Sequence, residues 1–234
     1  MRPVRRTVAV LLLLGLGVAL GLYVRNTVPT ADQAVLNFAL IHRTATRTSF
    51  FHAVTLCGGT PAATAVTAVV ALIAAWRRWW ALTGKVAVAG LGAAVLVVVG
   101  KSAFGRSRPP AATQLGVLQS LSYPSGHALG STVAAILVLA LVFAATRAGL
   151  WRALAVLLMA VYVVGVGLSR LYLGVHWGSD VLGGWAIGAA WALLCLGLPA
   201  PPGRDAHHDR AGDEVGAPGG PRRTWGRDRR PPTR

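Results

Sequence analysis

The chain alternates long apolar segments with short connections that carry most of its charged residues. A helix needs about 20 apolar residues to cross a bilayer, and six segments approach or exceed that length. They are residues 7–24, 51–76, 81–99, 127–145, 150–168 and 177–198. The pattern predicts an all-α fold, a polytopic membrane helix bundle with about six transmembrane helices.

The remaining segments differ from these runs in composition. Residues 32–47 contain apolar residues after Asp32, which indicates a short interfacial helix N-capped by that residue. From residue 199 the chain is rich in Pro, Gly, Arg and Asp, and we expect a disordered basic tail because this composition cannot bury a core. We therefore divide the chain into an uncleaved signal-anchor helix with its connector (1–50), a membrane domain (51–198) and the C-terminal tail (199–234).

The charge balance is strongly basic, with 23 Lys and Arg against 7 Asp and Glu and a net charge of +16. Only 13% of the residues are charged, whereas soluble domains have about 25%. The basic residues lie between apolar runs and in the tail, which favours membrane topology over nucleic-acid binding. One side of the predicted bundle carries more of them, namely Arg2, Arg5, Arg6, Arg77, Arg78, Lys85, Arg147, Arg152 and the arginines of the tail. The positive-inside rule makes this side cytoplasmic and places both termini there, in a protein of the cell (plasma) membrane.

Asp180 is the only acidic residue between positions 33 and 204. A carboxylate in a membrane segment is costly, and such residues usually serve function. His176 lies four residues earlier, on the same helix face, so Asp180 can hydrogen-bond its imidazole and fix the tautomer. An imidazole held in this way is a candidate nucleophile or general base.

Further polar residues fall at span ends on the predicted extracytoplasmic side. The cations suit a phosphate group, and a helix N-terminus provides free N–H groups for an anion. Two histidines supply what phosphoester cleavage needs, a nucleophile and an acid for the leaving group. The set consists of Lys101, Arg108, Ser125, Gly126, His127, Ser169, Arg170, His176 and Asp180.

Three motifs in this set resemble the signatures of the type-2 phosphatidic acid phosphatase superfamily. They are Lys101-x6-Arg108-Pro109, Pro124-Ser125-Gly126-His127 and Ser169-Arg170-x5-His176-x3-Asp180. That superfamily includes membrane lipid phosphate phosphatases and polyprenyl diphosphate phosphatases, and its core resembles vanadium haloperoxidases. The resemblance implies a core of that kind and a phosphatase domain over residues 51–198.

The resemblance also implies the role of each residue. His176 would attack phosphorus and form a phosphohistidine, Asp180 would orient His176, and His127 would protonate the leaving oxygen. The phosphoryl oxygens would be held by Lys101, Arg108, Ser125, Gly126 and Arg170. No metal and no cofactor are implied. Arg106 belongs to no motif, and we expect it only to extend toward the membrane interface.

These expectations define an integral membrane enzyme that hydrolyses a lipid phosphate or diphosphate of the bilayer. Undecaprenyl diphosphate is the first choice, because recycling of that carrier needs an extracytoplasmic phosphatase; phosphatidic acid and phosphatidylglycerol phosphate are alternatives. A metallohydrolase with His127, His176 and Asp180 as ligands is a second class, although three nearby cations would repel a divalent ion. A third class is an inactive lipid-phosphate binding or transport protein. Finally, the Gly184-x3-Gly188 pair predicts close packing between helices.

Overall fold

The protein is described by a computed structural model over residues 3–116 and 118–198. The predicted tail, residues 199–234, lies outside the described residues. The chain forms eight α-helices in this region and a short 3-10 turn at Ala111–Thr113. The helices are α1 (Pro3–Val24), α2 (Thr30–Ile41), α3 (Ala45–Cys57), α4 (Thr60–Trp76), α5 (Trp80–Phe104), α6 (Gly126–Ala145), α7 (Gly149–Tyr172) and α8 (Gly178–Gly197). The predicted all-α class is confirmed.

Five helices, α1, α5, α6, α7 and α8, are long and apolar enough to cross a membrane. Helices α3 and α4 together can form a sixth span, with a bend of 42° between them. About six spans are therefore present, and the protein is a multi-pass membrane protein.

The span predicted over residues 51–76 is not one continuous helix. Gly58 ends α3 and Gly59 precedes α4, because paired glycines weaken a helix and Pro61 favours the first turn of a new one. A side chain at Gly58 would collide with Val166 of α7. The break therefore also allows α3 to approach α7 closely.

Helix α8 packs against α1, α5 and α6, and α6 in turn packs against α4 and α7. The predicted close packing at Gly184 and Gly188 is confirmed. A Cβ atom on Gly184 would lie 2.8 Å from the Ser125 carbonyl oxygen, and one on Gly188 would lie 2.8 Å from the Leu129 carbonyl oxygen. The absence of side chains at these two positions lets the backbones of α6 and α8 approach each other.

The helix directions place four helix termini at one end of the bundle. Helices α5 and α7 end there, and α6 and α8 begin there. The starts of α6 and α8 are joined by a hydrogen bond from Ser125 N to Asp180 O (3.0 Å). We call this the site end. At the far end, Arg6 of α1 donates to the Gly197 carbonyl (3.1 Å) and Lys85 of α5 donates to the Leu196 carbonyl (3.1 Å).

The prediction that Asp32 caps the connector helix was wrong. Helix α2 begins at Thr30 with Pro29 at its N-cap, so Asp32 lies in its first turn. The carboxylate is buried, and it accepts hydrogen bonds from Arg106 and Ser179. It therefore binds groups that are distant in the sequence rather than the N–H groups of its own helix.

Replacing Gly184 with Ala tests the α6–α8 contact. The new Cβ atom would lie 2.8 Å from Ser125 O and 2.9 Å from Ala128 Cβ, and overpacking of this kind costs about 1–3 kcal/mol. We expect Gly184→Ala to lower the melting temperature of the detergent-solubilised protein. The matched control is Gly84→Ala in α5, because a Cβ there meets nothing within 4 Å. Equal melting temperatures for the two variants would contradict the packing argument.

Candidate active site

His176 and Asp180 form the pair that their spacing predicted. His176 lies in the connection between α7 and α8, and Asp180 lies in the first turn of α8. The imidazole Nδ1 is 3.3 Å from Asp180 Oδ2. The same Oδ2 accepts the Trp177 backbone N–H at 2.9 Å, so the start of α8 itself holds the carboxylate in place.

Asp180 is fully buried, and two side chains that no motif in the sequence indicates complete its hydrogen bonding. Ser122 donates to Oδ2 at 2.5 Å, and Arg106 donates to Oδ1 at 2.6 Å. The expectation for Arg106 was wrong, since only 2% of this residue is exposed and it reaches inward to two carboxylates. One signal in the sequence pointed to it: the only acidic residues in positions 3–198 are Asp32 and Asp180, and a buried carboxylate needs a partner.

Arg108 faces the other nitrogen of the histidine. Its Nη1 lies 3.1 Å from His176 Nε2 and donates to the Val175 carbonyl at 2.5 Å. Its remaining nitrogens bind Ser120 and the Leu121 carbonyl. An arginine can only donate, so Nε2 accepts in this geometry and Nδ1–H donates to Asp180. This tautomer turns the Nε2 lone pair toward the cations.

The protonation of His176 follows from its surroundings. Burial lowers its pKa to about 4; the hydrogen bond and charge of Asp180 oppose this, and the charges of Arg108 and Arg170 add to the lowering. Burial also lowers the pKa of Arg108, partly offset by Asp180. At neutral pH the imidazole is therefore neutral, and its Nε2 lone pair is available.

The other two predicted cations lie in the last turns of α5 and α7. Lys101 donates to the Leu121 carbonyl, which also accepts from Arg108. Arg170 donates to Thr55 Oγ1 of α3 at 2.6 Å, and its Nε has no hydrogen-bond partner in the part of the chain that the structure describes. The three cations thus approach the site from α5, α7 and the segment after α5.

The Ser125-Gly126-His127 motif forms the start of α6. Ser125 is the N-cap and is fully buried, while Gly126 and His127 are partly exposed. The imidazole of His127 lies within electrostatic range of Arg170 and His176. Its Nε2 faces the α3–α4 break, 3.7 Å from the position of a Cβ on Gly59. All eight predicted site residues therefore lie at the site end.

Direct contacts join only some of these eight residues. His176 contacts both Asp180 and Arg108, and Ser125 joins the group through its backbone bond to Asp180. The remaining predicted residues make no hydrogen bond to His176 in the described structure. A neutral imidazole thus lies beside several cations, an arrangement suited to binding a phosphate group.

Comparison with known proteins agrees with this geometry. Residues 79–201 match the PAP2 superfamily. Decaprenylphosphoryl-5-phosphoribose phosphatase of Mycobacterium tuberculosis is 38% identical over 116 residues, which are 48% of this chain and 57% of that protein. Undecaprenyl-diphosphatase of Sulfolobus acidocaldarius is 36% identical over 75 residues, 32% of each chain. The chain thus spans about half the length, or less, of these two relatives.

A solved structure extends the match to the whole bundle. A transmembrane PAP2 type phosphatidylglycerolphosphate phosphatase from Bacillus subtilis superposes with a TM-score of 0.69 at 27% identity. The match covers 84% of this chain and 94% of that one. With more than half of the chain matched by the family, the resemblance inferred from the three motifs is confirmed, and the protein belongs to the PAP2 superfamily.

Proposed function

We propose that the protein is an integral membrane phosphatase that hydrolyses a lipid phosphate or diphosphate through a phosphohistidine at His176. One observation carries the proposal: a buried, neutral imidazole has Nδ1 held by Asp180 and Nε2 directed at Arg108. A phosphoryl oxygen bound by Arg108 would bring phosphorus next to the Nε2 lone pair. Such positioning accounts for much of the rate in phosphoryl transfer.

In the first step His176 Nε2 attacks phosphorus, a bond forms between nitrogen and phosphorus, and the bond to the leaving oxygen breaks. Asp180 stabilises the positive charge that develops on the imidazole. His127 gives a proton to the leaving oxygen. Negative charge on the phosphoryl oxygens is stabilised by Lys101, Arg108, Arg170 and the N-terminus of α6 at Ser125 and Gly126.

In the second step water attacks the phosphohistidine. His127, having lost its proton, accepts one from this water, and the bond between nitrogen and phosphorus breaks. Inorganic phosphate leaves and His176 returns to its neutral form. No metal ion is needed in either step. All four bonds described for the Asp180 carboxylate are to protein donors, which disfavours a ligand role for it.

An apolar cavity at the site end supports a lipid substrate. It has a volume of about 420 Å³ and lies between α2, α3 and α7, lined by residues such as Phe38, Phe51 and Leu168. Phe51 stacks on Tyr172 with ring centroids 4.4 Å apart, and Tyr172 packs with Val175, the neighbour of His176. An acyl or polyprenyl chain could therefore lie in apolar surroundings while its phosphate reaches the site.

Undecaprenyl diphosphate is the substrate that we propose first. Of the similar proteins described above, two are named for polyprenyl phosphates, the Mycobacterium and Sulfolobus proteins. The Bacillus neighbour is named for phosphatidylglycerolphosphate, which keeps a glycerolipid phosphate as the second candidate. Each of the three names refers to a lipid that carries a phosphate group and a long apolar tail.

A phosphate-release panel tests this proposal. The purified protein is given undecaprenyl diphosphate, phosphatidylglycerol phosphate, phosphatidic acid and decaprenylphosphoryl-5-phosphoribose, each with and without chelator. We expect the fastest release from undecaprenyl diphosphate and no effect of the chelator. Faster release from another lipid would assign that substrate instead. Loss of activity restored by Zn²⁺ or Mg²⁺ would favour the metallohydrolase, and no release from any lipid would favour a binding or transport protein.

Replacing His176 and replacing His127 should affect turnover and covalent labelling differently. His176→Ala removes the nucleophile, so turnover and covalent labelling should both disappear. His127→Ala should slow hydrolysis of the intermediate and let an acid-labile, base-stable phosphoenzyme accumulate with a substrate that has a good leaving group. Peptide mapping of ³²P-labelled protein locates the label. His52→Ala is the control, because this residue lies in α3 and belongs to no motif. Label on a serine, or full activity of His176→Ala, would exclude the mechanism.

We propose that the site end faces away from the cytoplasm. Four basic residues at this end belong to the site and therefore give no information on topology, namely Lys101, Arg106, Arg108 and Arg170. The other basic residues at this end are Arg25, Arg43 and Arg47. The far end carries more, namely Arg5, Arg6, Arg77, Arg78, Lys85, Arg147 and Arg152. The positive-inside rule makes that end cytoplasmic.

Cysteine labelling in intact cells tests this orientation. Ala111, at the site end, and Ala148, between α6 and α7, are both exposed alanines in connections. After Cys57 and Cys195 are replaced, Ala111→Cys should react with an impermeant thiol reagent and Ala148→Cys should react only after the cells are opened. The reverse pattern would place the site on the cytoplasmic side.

A further inference from the structure

Arg106 joins the two acidic residues of the described chain. Its Nη1 donates to Asp180 Oδ1 at 2.6 Å and to Ser179 Oγ at 2.6 Å, while its Nη2 donates to Asp32 Oδ2 at 2.7 Å. Ser179 closes the group, because its N–H and hydroxyl donate to the two oxygens of Asp32 at 2.9 and 2.5 Å. The guanidinium also lies over the Trp177 ring, 5.7 Å from its centroid.

From this geometry we infer that Arg106, supported by Asp32, is a positioning residue for the phosphatase reaction and acts through Asp180. This inference rests on the proposed function. Arg106 fixes Oδ1 of Asp180, and a carboxylate with one oxygen fixed cannot rotate freely. Oδ2 is then held toward Nδ1 of His176, which keeps Nε2 unprotonated and directed at the phosphate site.

The position of Arg106 separates it from the cations that bind phosphate. Only 2% of Arg106 is exposed, and it contacts Asp180 Oδ1, whereas His176 contacts Oδ2. Its two terminal nitrogens bind protein oxygens. Removing it should therefore change how fast the bound substrate reacts rather than how tightly the substrate binds.

The charges of the group also match the reaction. Two carboxylates and one guanidinium leave one net negative charge next to the imidazole. The imidazole gains one positive charge when Nε2 attacks phosphorus, so the group balances the charge that develops in that step. Arg106 without Asp32 would neutralise Asp180 and remove this balance. Asp32 therefore contributes although it does not contact His176.

Asp32 lies on α2, outside residues 79–201 that match the family. A buried ion pair is weak evidence for stability, because the desolvation of the charges opposes their attraction. A role in holding one geometry is better supported for such pairs. The connector helix α2 would then set the geometry of the reaction from outside the three motifs.

Turnover of four variants in detergent tests the inference. Arg106→Gln should lower kcat about ten- to a hundredfold, the loss seen when an outer partner of a metal-bound histidine is removed, with KM unchanged within about twofold. Arg106→Lys should recover part of this loss, because one ammonium can still reach Asp180. Asp32→Asn should lower kcat by a smaller factor. The control is Arg43→Gln, which removes donors to the Thr113 and Tyr172 carbonyls but contacts neither carboxylate.

The control separates positioning from stability. Arg43→Gln should lower the melting temperature and leave kcat unchanged within about twofold. A raised KM with normal kcat in Arg106→Gln would overturn the inference, as would an equal loss of kcat in the control. If Arg106→Gln does not accumulate in membranes, Asp32→Asn decides, and a normal kcat in that variant would overturn the inference.

A measurement independent of turnover distinguishes this inference from the proposed function. The ¹⁵N spectrum of histidine-labelled protein reports the tautomer of His176, with its signal assigned by loss in His176→Ala. The wild type should show a protonated Nδ1, and Arg106→Gln or Asp32→Asn should show a mixture of tautomers. Unchanged tautomers would overturn the positioning role. If the wild type released no phosphate but the tautomers shifted as expected, the proposed function would fail and the coupling of Arg106 to His176 would stand.

Discussion

The carboxylate of Asp180 is the constraint on which the site end depends. An ionised carboxylate in an apolar bundle is very unfavourable unless donors surround it. Asp180 obtains them from the backbone of Trp177 and from the side chains of Ser122, Arg106 and His176. These donors come from the connection between α5 and α6 and from the residues before α8. Satisfying one buried charge therefore fixes the relative positions of three helix termini, and the geometry of the histidine follows from it.

Helix ends give the site its charge pattern. Lys101 and Arg170 lie in the last turns of α5 and α7, where the helix dipole favours a cation. Ser125 and Asp180 lie at the starts of α6 and α8, where it favours an anion. The alternation of ends and starts allows cations and anion-binding N–H groups to meet at one end of the bundle. Because the site's cations all lie at the site end, the basic residues at the far end are determined by membrane topology alone.

The local features of the site could be predicted from the sequence, and the long-range ones could not. His176 and Asp180 share a helix turn, so their spacing alone predicts the pair. Ser122 lies 58 positions from Asp180, and Arg106 lies 74 positions from both Asp32 and Asp180. No periodicity links such distant residues, so Arg106 looked like an interfacial cation. The break after Gly58 was missed for a related reason, because hydropathy averages over the two glycines while the close approach of α7 depends on them.

The N-terminal helices α2 and α3 contact side chains of the region that matches the family. Asp32 of α2 binds Arg106, and Thr55 of α3 binds Arg170 at 2.6 Å. Gly59, at the break before α4, lies against His127. Each contact reaches a residue between positions 79 and 201 from an element outside that range. The motifs therefore supply the candidate reacting groups, whereas several of these groups are contacted by residues that carry no motif. A change in α2 or α3 can then alter the geometry of the site while the three motifs stay intact.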